Sequence, residues 1–266
     1  MRAEDGPPVE PLPSATIVLM RDGASGLEVL LLRRSPRAGF APGAYVFPGG
    51  RVDAGDAAAD AVRRVDGLTP ERAATRLGMP DADPPAIPSY VAAVREAFEE
   101  TGILVGVRSD STPPPTATTD ARAELVRNDL LESRIEFADA LLRLEYRIAG
   151  DALEYLAHWI TPERSPRRFD TRFFAARVDD GLDAIVDERE MTEARWITPG
   201  AALFGAMNGT LPMILPTVRT LERLAAFGHT RQALAALADA TVPTILPGPE
   251  SGPFAGPVPE ARLPTS

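Results

Sequence analysis

Two residue types with distinctive chemistry are missing from this 266-residue chain. There is no cysteine, so disulfides, thiolate nucleophiles and sulfur-held metals are excluded. With only two histidines, any metal must be held mainly by oxygen. Lysine is also absent: all 28 basic residues are arginine, which rules out lysine Schiff bases and P-loop lysines. No apolar run approaches a membrane span, and the N-terminus "MRAEDGPPVEPLP" is acidic and proline-rich, without the charged-then-apolar order of a secretory signal. The net charge of −10 creates no global field for nucleic acid. The expectation is a cytoplasmic protein with neither nucleic-acid nor membrane partners.

What is present is ordinary for a globular chain, with 44% hydrophobic and 25% charged residues. The apolar runs "SATIVLM" (14–20) and "LEVLLLRR" (27–34) flank a turn-rich connection and predict a hairpin. Further strands are predicted at "AYVF", "ILVGV" (103–107), "EYLAHWI" (154–160), "RFFAARV" (172–178) and "MTEARWI" (191–197). Helices are predicted at "TPERAATRLG", over 89–101 with Ser89 as N-cap and Gly102 as stop, once or twice within 119–147, and three times between 198 and 240. Strands and helices interleave without a regular βαβ rhythm, which predicts an α/β chain with a mixed sheet flanked by helices. The expected organisation is a disordered lead-in at 1–12, one domain over 13–240 and a Pro/Gly-rich tail at 241–266. Within the domain, 57–87 reads as an insertion and 119–147 as a helical elaboration.

The stretch "REAFEETGIL" (95–104) carries the chemistry. At about 100° per residue, Val91, Val94 and Phe98 form an apolar stripe, with Glu96, Glu99 and Glu100 nearly opposite. Three carboxylates this close repel one another, and within the helix only Arg95, four residues before Glu99, compensates. The helix face is therefore either solvated or neutralised by a hard divalent cation, which takes oxygen ligands. Upstream, "FPGGRVDAGD" (47–56) turns on paired glycines, where backbone approaches a neighbour closely.

These two segments together resemble the Nudix hydrolase signature: a glycine, five residues, a glutamate, seven residues, then R-E-aliphatic-x-E-E-x-G-aliphatic. Gly50, the Arg95-Glu96 pair, the Glu99-Glu100 pair and Gly102-Ile103 match it. Asp56 stands in place of the first glutamate and Ala97 in place of a larger aliphatic. Between Asp56 and Arg95 lie 38 residues, an insertion of 31. An interrupted box resembles the subgroup containing the mammalian peroxisomal coenzyme A diphosphatase. The segments "WITPERSPRRFDTRFFAA", "EMTEARWITPGAAL" and "LPTVRTLERL" have similar counterparts there.

The resemblance implies a Nudix fold, an α/β/α sandwich here carrying a helical insertion and extra C-terminal helices. It also implies Mg²⁺- or Mn²⁺-dependent hydrolysis of a small nucleotide-derived substrate, a nucleoside diphosphate linked to another moiety. Glu96, Glu99, Glu100 and the Gly49 carbonyl would hold the metal, and Arg95 and Asp56 would orient the carboxylates. The catalytic set would be Arg95, Glu99, Glu100 and a base, for which Glu190 in "DERE" is the candidate. Arg33, Arg34, Arg167, Arg168 and Arg172 are candidates for phosphate contacts, against a structural pairing of Arg168 with Asp170. Phe40 and Tyr45 are candidates for stacking on a base, whereas Trp159 and Trp196 read as core. His158 and His229 read as structural or exposed.

Coenzyme A-hydrolysing members often carry an arginine four residues ahead of a glycine that precedes F-P-G-G by four. Gly43 fits that glycine, but position 39 is glycine. Coenzyme A, its acyl esters, NADH, ADP-ribose and other dinucleotides therefore all stay open as substrates. A non-catalytic Nudix-like ligand-binding or regulatory module is the reading from another class. The helical stretch 119–147 and the insertion are candidates for a homodimer surface.

Overall fold

Alternate residues of the first strand face opposite layers. Ile17 and Leu19 pack on one side of the sheet, Val18 and Met20 on the other, and all four are fully buried. In this computed structural model, which describes residues 9–79, 85–106 and 116–248, strand β1 (Leu12–Gly23) turns through Ala24-Ser25 into β2 (Gly26–Arg34), so the expected hairpin forms. The two strands pair only over Met20–Gly23 with Gly26–Val29 and then splay apart. The short strands β3 (Tyr45–Val46) and β4 (Gly49–Arg51) fill the fork, β3 pairing with β2 and β4 with β1. The "FPGG" turn is thereby built into the middle of the sheet.

Residues following Asp56 form α1 (Ala59–Val62), the short strand β5 (Val65–Asp66) and α2 (Pro70–Leu77). Thr69 caps α2 by accepting the Arg72 N–H at 3.2 Å, and Gly78 ends it in the left-handed region. Helix α3 (Ile87–Thr101) follows, then α4 (Ala121–Leu131) and α5 (Phe137–Leu144). Strand β6 (Ile148–Ala149) pairs in parallel with β5, tying the insertion to the end of this helical stretch. Strands β7 (Glu154–Ile160), β8 (Phe169–Arg177) and β9 (Met191–Ile197) complete most of the sheet. Helices α6 (Pro199–Met207), α7 (Leu215–Leu224) and α8 (Thr230–Ala238) precede a last short strand, β10 (Thr244–Ile245).

The eight-stranded sheet runs β10-β7-β8-β1-β2-β3, with β4 also on β1 and β9 also on β2. Its β1–β8 and β7–β10 pairs are parallel and the others antiparallel, so the sheet is mixed. One core layer lies between the sheet and α2–α5, the other between the sheet and α6–α8. This is the expected α/β/α sandwich.

Three local expectations are corrected. Residues 103–107 do not form a strand: Ile103 makes only an isolated bridge to Thr116, and Val107 lies outside the described residues. Ser89 is not an N-cap, because α3 begins two residues earlier at Ile87, with proline in its first turn, and Ser89 is buried. Helix α3 is also not amphipathic in the simple sense. Of its fifteen residues only Glu96 and Glu99 keep partial exposure, because the sheet and the helices of its layer enclose it. The expected lead-in (1–8), part of the insertion (80–84), the loop at 107–115 and the tail from 249 lie outside the described residues.

Candidate active site

Arg95 spends all five of its N–H donors on five acceptors. Nε and Nη2 reach the two oxygens of Asp56 at 2.8 and 3.0 Å, and Nη2 also reaches the Arg51 carbonyl at 2.9 Å. Nη1 bridges Glu96 Oε1 at 2.9 Å and Glu99 Oε2 at 3.0 Å. Asp56 is only 1% exposed, and its Oδ2 additionally accepts the Asp53 N–H at 2.8 Å. Burial alone would weaken the Arg95 charge. The Asp56 hydrogen bonds and the carboxylates of Glu96, Asp56 and Glu99 outweigh it and raise the pKa further.

The glycines of the "FPGG" turn meet the helix directly. Gly49 donates its N–H to Glu100 Oε2 at 3.0 Å. A Cβ on Gly50 would lie 2.2 Å from Glu96 Oε1, so that carboxylate occupies the space a side chain would need. At the helix end Gly102 has φ +70°, where a side chain would be strained, and its Cβ would press on that of Ala117 at 2.8 Å.

Burial raises the pKa of all three glutamates. Glu96 is pushed up to about 7 by desolvation, with repulsion from Glu99 adding to it and Arg95 opposing it. Glu99 is raised by desolvation against the pull of Arg95. Glu100 is raised well above the carboxylate range by desolvation and then by Glu96, and Glu190 adds a smaller repulsion. Among the described residues no three acidic or histidine side chains converge on a single point, since Arg95 Nη1 lies between Glu96 and Glu99. The donor chemistry nonetheless fits a hard divalent cation. The three carboxyl groups repel one another when ionised, and each has one oxygen with no hydrogen bond among the described residues.

A cleft of about 1030 Å³ opens beside Gly49 and Gly50. Arg34, Arg164 and Arg167 supply its cationic walls, and Phe40, Phe47, Trp159, Phe169 and Phe173 its aromatic ones. Phe40 meets Phe169 edge-to-face at 6.0 Å. The sequence candidates divide sharply around this cleft. Arg34 lines it, donates to the Phe40 carbonyl at 3.0 Å, and lowers the Glu100 pKa by charge attraction. Arg33 does not line it; its guanidinium lies 5.8 Å from the Tyr45 ring centroid. As consecutive residues of β2 the two arginines face opposite sides of the sheet.

Arg167 lines the cleft, whereas Arg168 is buried, donating to the carbonyls of Thr161 (3.0 Å) and Val9 (2.7 Å). Asp170 pairs not with Arg168 but with Arg172, at 2.8 Å, and with His158, at 2.5 Å. Arg172 does not line the cleft. Tyr45 is buried, its hydroxyl donating to Glu193 at 2.7 Å. Glu190 is exposed in the turn before β9, with its carbonyl accepting the Ser35 N–H at 2.8 Å.

One residue that sequence reasoning missed is Arg127 of α4. It is buried, and its Nε and Nη2 grip the Phe98 and Glu99 carbonyls at 2.6–3.0 Å, with Nη2 also reaching Ile185 O at 3.1 Å. It caps the C-terminus of α3 with positive charge. Nothing in the local pattern around position 127 signals a contact 28 residues away.

A family model described as the NUDT19 Nudix domain matches residues 12–224 of this arrangement. The chain belongs to that Nudix family. It is 28% identical over 235 residues to the acyl-coenzyme A diphosphatase NUDT19 of Xenopus laevis and 30% identical over 237 residues to that of Homo sapiens. These alignments take in 78% and 77% of this chain, but the chain spans only 62% of the length of either relative. Among solved structures, a NUDIX hydrolase from Alicyclobacillus acidocaldarius superposes with a TM-score of 0.71 at 25% identity, over 87% of this chain and 99% of that one. In this Nudix chain no helix among the described residues is long and apolar enough to cross a membrane.

Proposed function

We propose that this chain is a metal-dependent diphosphatase that cleaves the diphosphate linkage of coenzyme A or an acyl-coenzyme A. The observation that carries the reading is the Arg95 network, in which residues 39 apart in sequence re-form an interrupted Nudix box beside a cleft lined by arginines. The names of the curated relatives support the coenzyme A class.

Glu96, Glu99, Glu100 and the Gly49 carbonyl would hold Mg²⁺ or Mn²⁺. Bound there, the ion offsets the charge of the diphosphate and makes water a stronger acid. The remaining work belongs to the side chains. Arg95, fixed by Asp56, holds Glu96 and Glu99 in register through one nitrogen. Arg34 and Arg167 receive phosphate oxygens at the cleft wall. Glu190, whose charge is felt at Glu100, accepts the proton as water oxygen bonds to one phosphorus and the bridging oxygen leaves with the other. The wall formed by Phe40, Trp159 and Phe169 accommodates the apolar part of the substrate.

The test is a panel of coenzyme A, an acyl-coenzyme A, NADH and ADP-ribose, incubated with Mg²⁺ or Mn²⁺ and followed by product identification. Cleavage that vanishes in Glu99→Gln and Glu100→Gln variants supports the reading. Tight binding with no turnover would replace it with a non-catalytic module. Self-association through 119–147, where Leu125 and Leu142 are exposed, belongs to the same proposal and is read by light scattering.

A further inference from the structure

A second, smaller cavity of about 370 Å³ lies away from the cleft, between the end of α2, strands β7 and β8, and the α8–β10 connection. Its polar walls are Arg76, Arg172, His158 and the hydroxyl-bearing Thr75, Thr241 and Thr244. Among the described residues no acidic side chain lines it. The carboxylates that pair with the two arginines, Glu154 with Arg76 and Asp170 with Arg172, sit behind them, outside the walls. In a chain with a net charge of −10, this cavity carries two cations and no anion.

Its donors are also incompletely used. Arg172 is only 8% exposed, yet its Nε has no hydrogen-bond partner among the described residues. Arg76 Nη1 is likewise buried and unpartnered. Buried donors left without acceptors are costly, and guanidinium donors match oxyanions best. His158 does not compete for them, because its Nδ1 contacts Thr244 Oγ1 at 2.8 Å and its Nε2 contacts Asp170 at 2.5 Å. We propose that this cavity is a binding site for a small oxyanion, a carboxylate or a phosphate group, held by Arg76 and Arg172 with the Thr241 hydroxyl, because Thr75 already donates to the Glu71 carbonyl at 2.9 Å and Thr244 contacts His158.

The two histidines of the chain make the test local. His158 lines the cavity, whereas His229 is exposed outside it. Inorganic phosphate and, separately, acetate are titrated into the ¹⁵N-labelled full chain at constant pH and ionic strength, following both imidazoles by long-range ¹H–¹⁵N correlation. The expected result is a saturable shift of His158 with an unmoved His229. A response to phosphate alone assigns a phosphate-type ligand and a response to acetate alone a carboxylate; either supports the site. Arg76→Met, which removes one charge-assisted contact, is expected to weaken the isotherm by roughly tenfold or more. Thr241→Val, an exposed position on the opposite wall, is expected to weaken it less and serves as the second variant should Arg76→Met disturb the fold. A His158 signal that responds to neither anion would overturn the proposal and leave a water-filled cavity. So would an isotherm unchanged in both variants.

Discussion

The Arg95 guanidinium closes on both oxygens of Asp56, at 2.8 and 3.0 Å, across 38 intervening residues. Arg95 and Asp56 are each less than 10% exposed. Removing one partner of such a pair leaves a buried charge uncompensated. Asp56→Asn is expected to cost about 3 kcal/mol of stability, read as a shift in the urea midpoint. It is also expected to lower kcat, because Nη1 of the same guanidinium holds Glu96 and Glu99. A variant with wild-type stability would show that the pair does not anchor the box.

Gly50→Ala separates geometry from stability. The new methyl meets the far end of the Glu96 side chain rather than backbone, so the expected change in thermal midpoint is small. Displacing that carboxylate is expected to reduce kcat by roughly a hundredfold. Comparable losses of stability and activity would point to a backbone clash instead.

The raised glutamates predict an unusual pH dependence for the chain kept free of divalent metal. Glu96 rises from an ordinary 4.5 to about 7 through burial, so the folded state binds the extra proton. Its contribution is present in full below pH 4.5 and is lost as the pH rises through 7. From Glu96 this amounts to roughly 3 kcal/mol. Urea midpoints measured with a chelator should fall across that window, and Glu96→Gln should remove much of the slope. Added Mg²⁺ should restore stability most at the upper end. A flat chelated profile would contradict the burial of these acids.

The arginines of the cleft and its surroundings should part in kinetics. Arg34→Gln is expected to raise KM by roughly tenfold, because Arg34 lines the cleft. Arg33→Gln, directed at Tyr45 instead, is expected to leave KM within about twofold. Steady-state kinetics on whichever substrate the panel identifies decides this. Equal effects would mean that both residues reach substrate.

Arg127→Met removes the cation that grips the last carbonyls of α3. About 2 kcal/mol of destabilisation is expected, measured by thermal or urea unfolding. A weakened Mn²⁺ affinity should accompany it, since Glu99 and Glu100 end the turn that Arg127 holds. Unchanged metal affinity would restrict Arg127 to a scaffold role.

Much of this protein was determined by sequence alone. The near-continuous apolar runs at 14–20 and 27–34 specify two strands, because the side-chain period of an extended chain is two and both faces are covered. The order R-E-x-x-E-E-x-G, with Gly102 able to take a positive φ, specifies a helix carrying three acids and its end. What local pattern does not encode is which side of an element meets what. Whether Glu96, Glu99 and Glu100 are solvated depended on the sheet and helices that bury α3, and these come from distant segments. Strand alternation sends Arg33 and Arg34 to opposite faces, but only the packed sheet decides that Arg34 faces the cleft and Arg33 the Tyr45 ring. The acids of "REAFEETGIL" are read from sequence; the burial that raises their pKa values, and the Asp56–Arg95 clamp that positions two of them, exist only once the chain has folded.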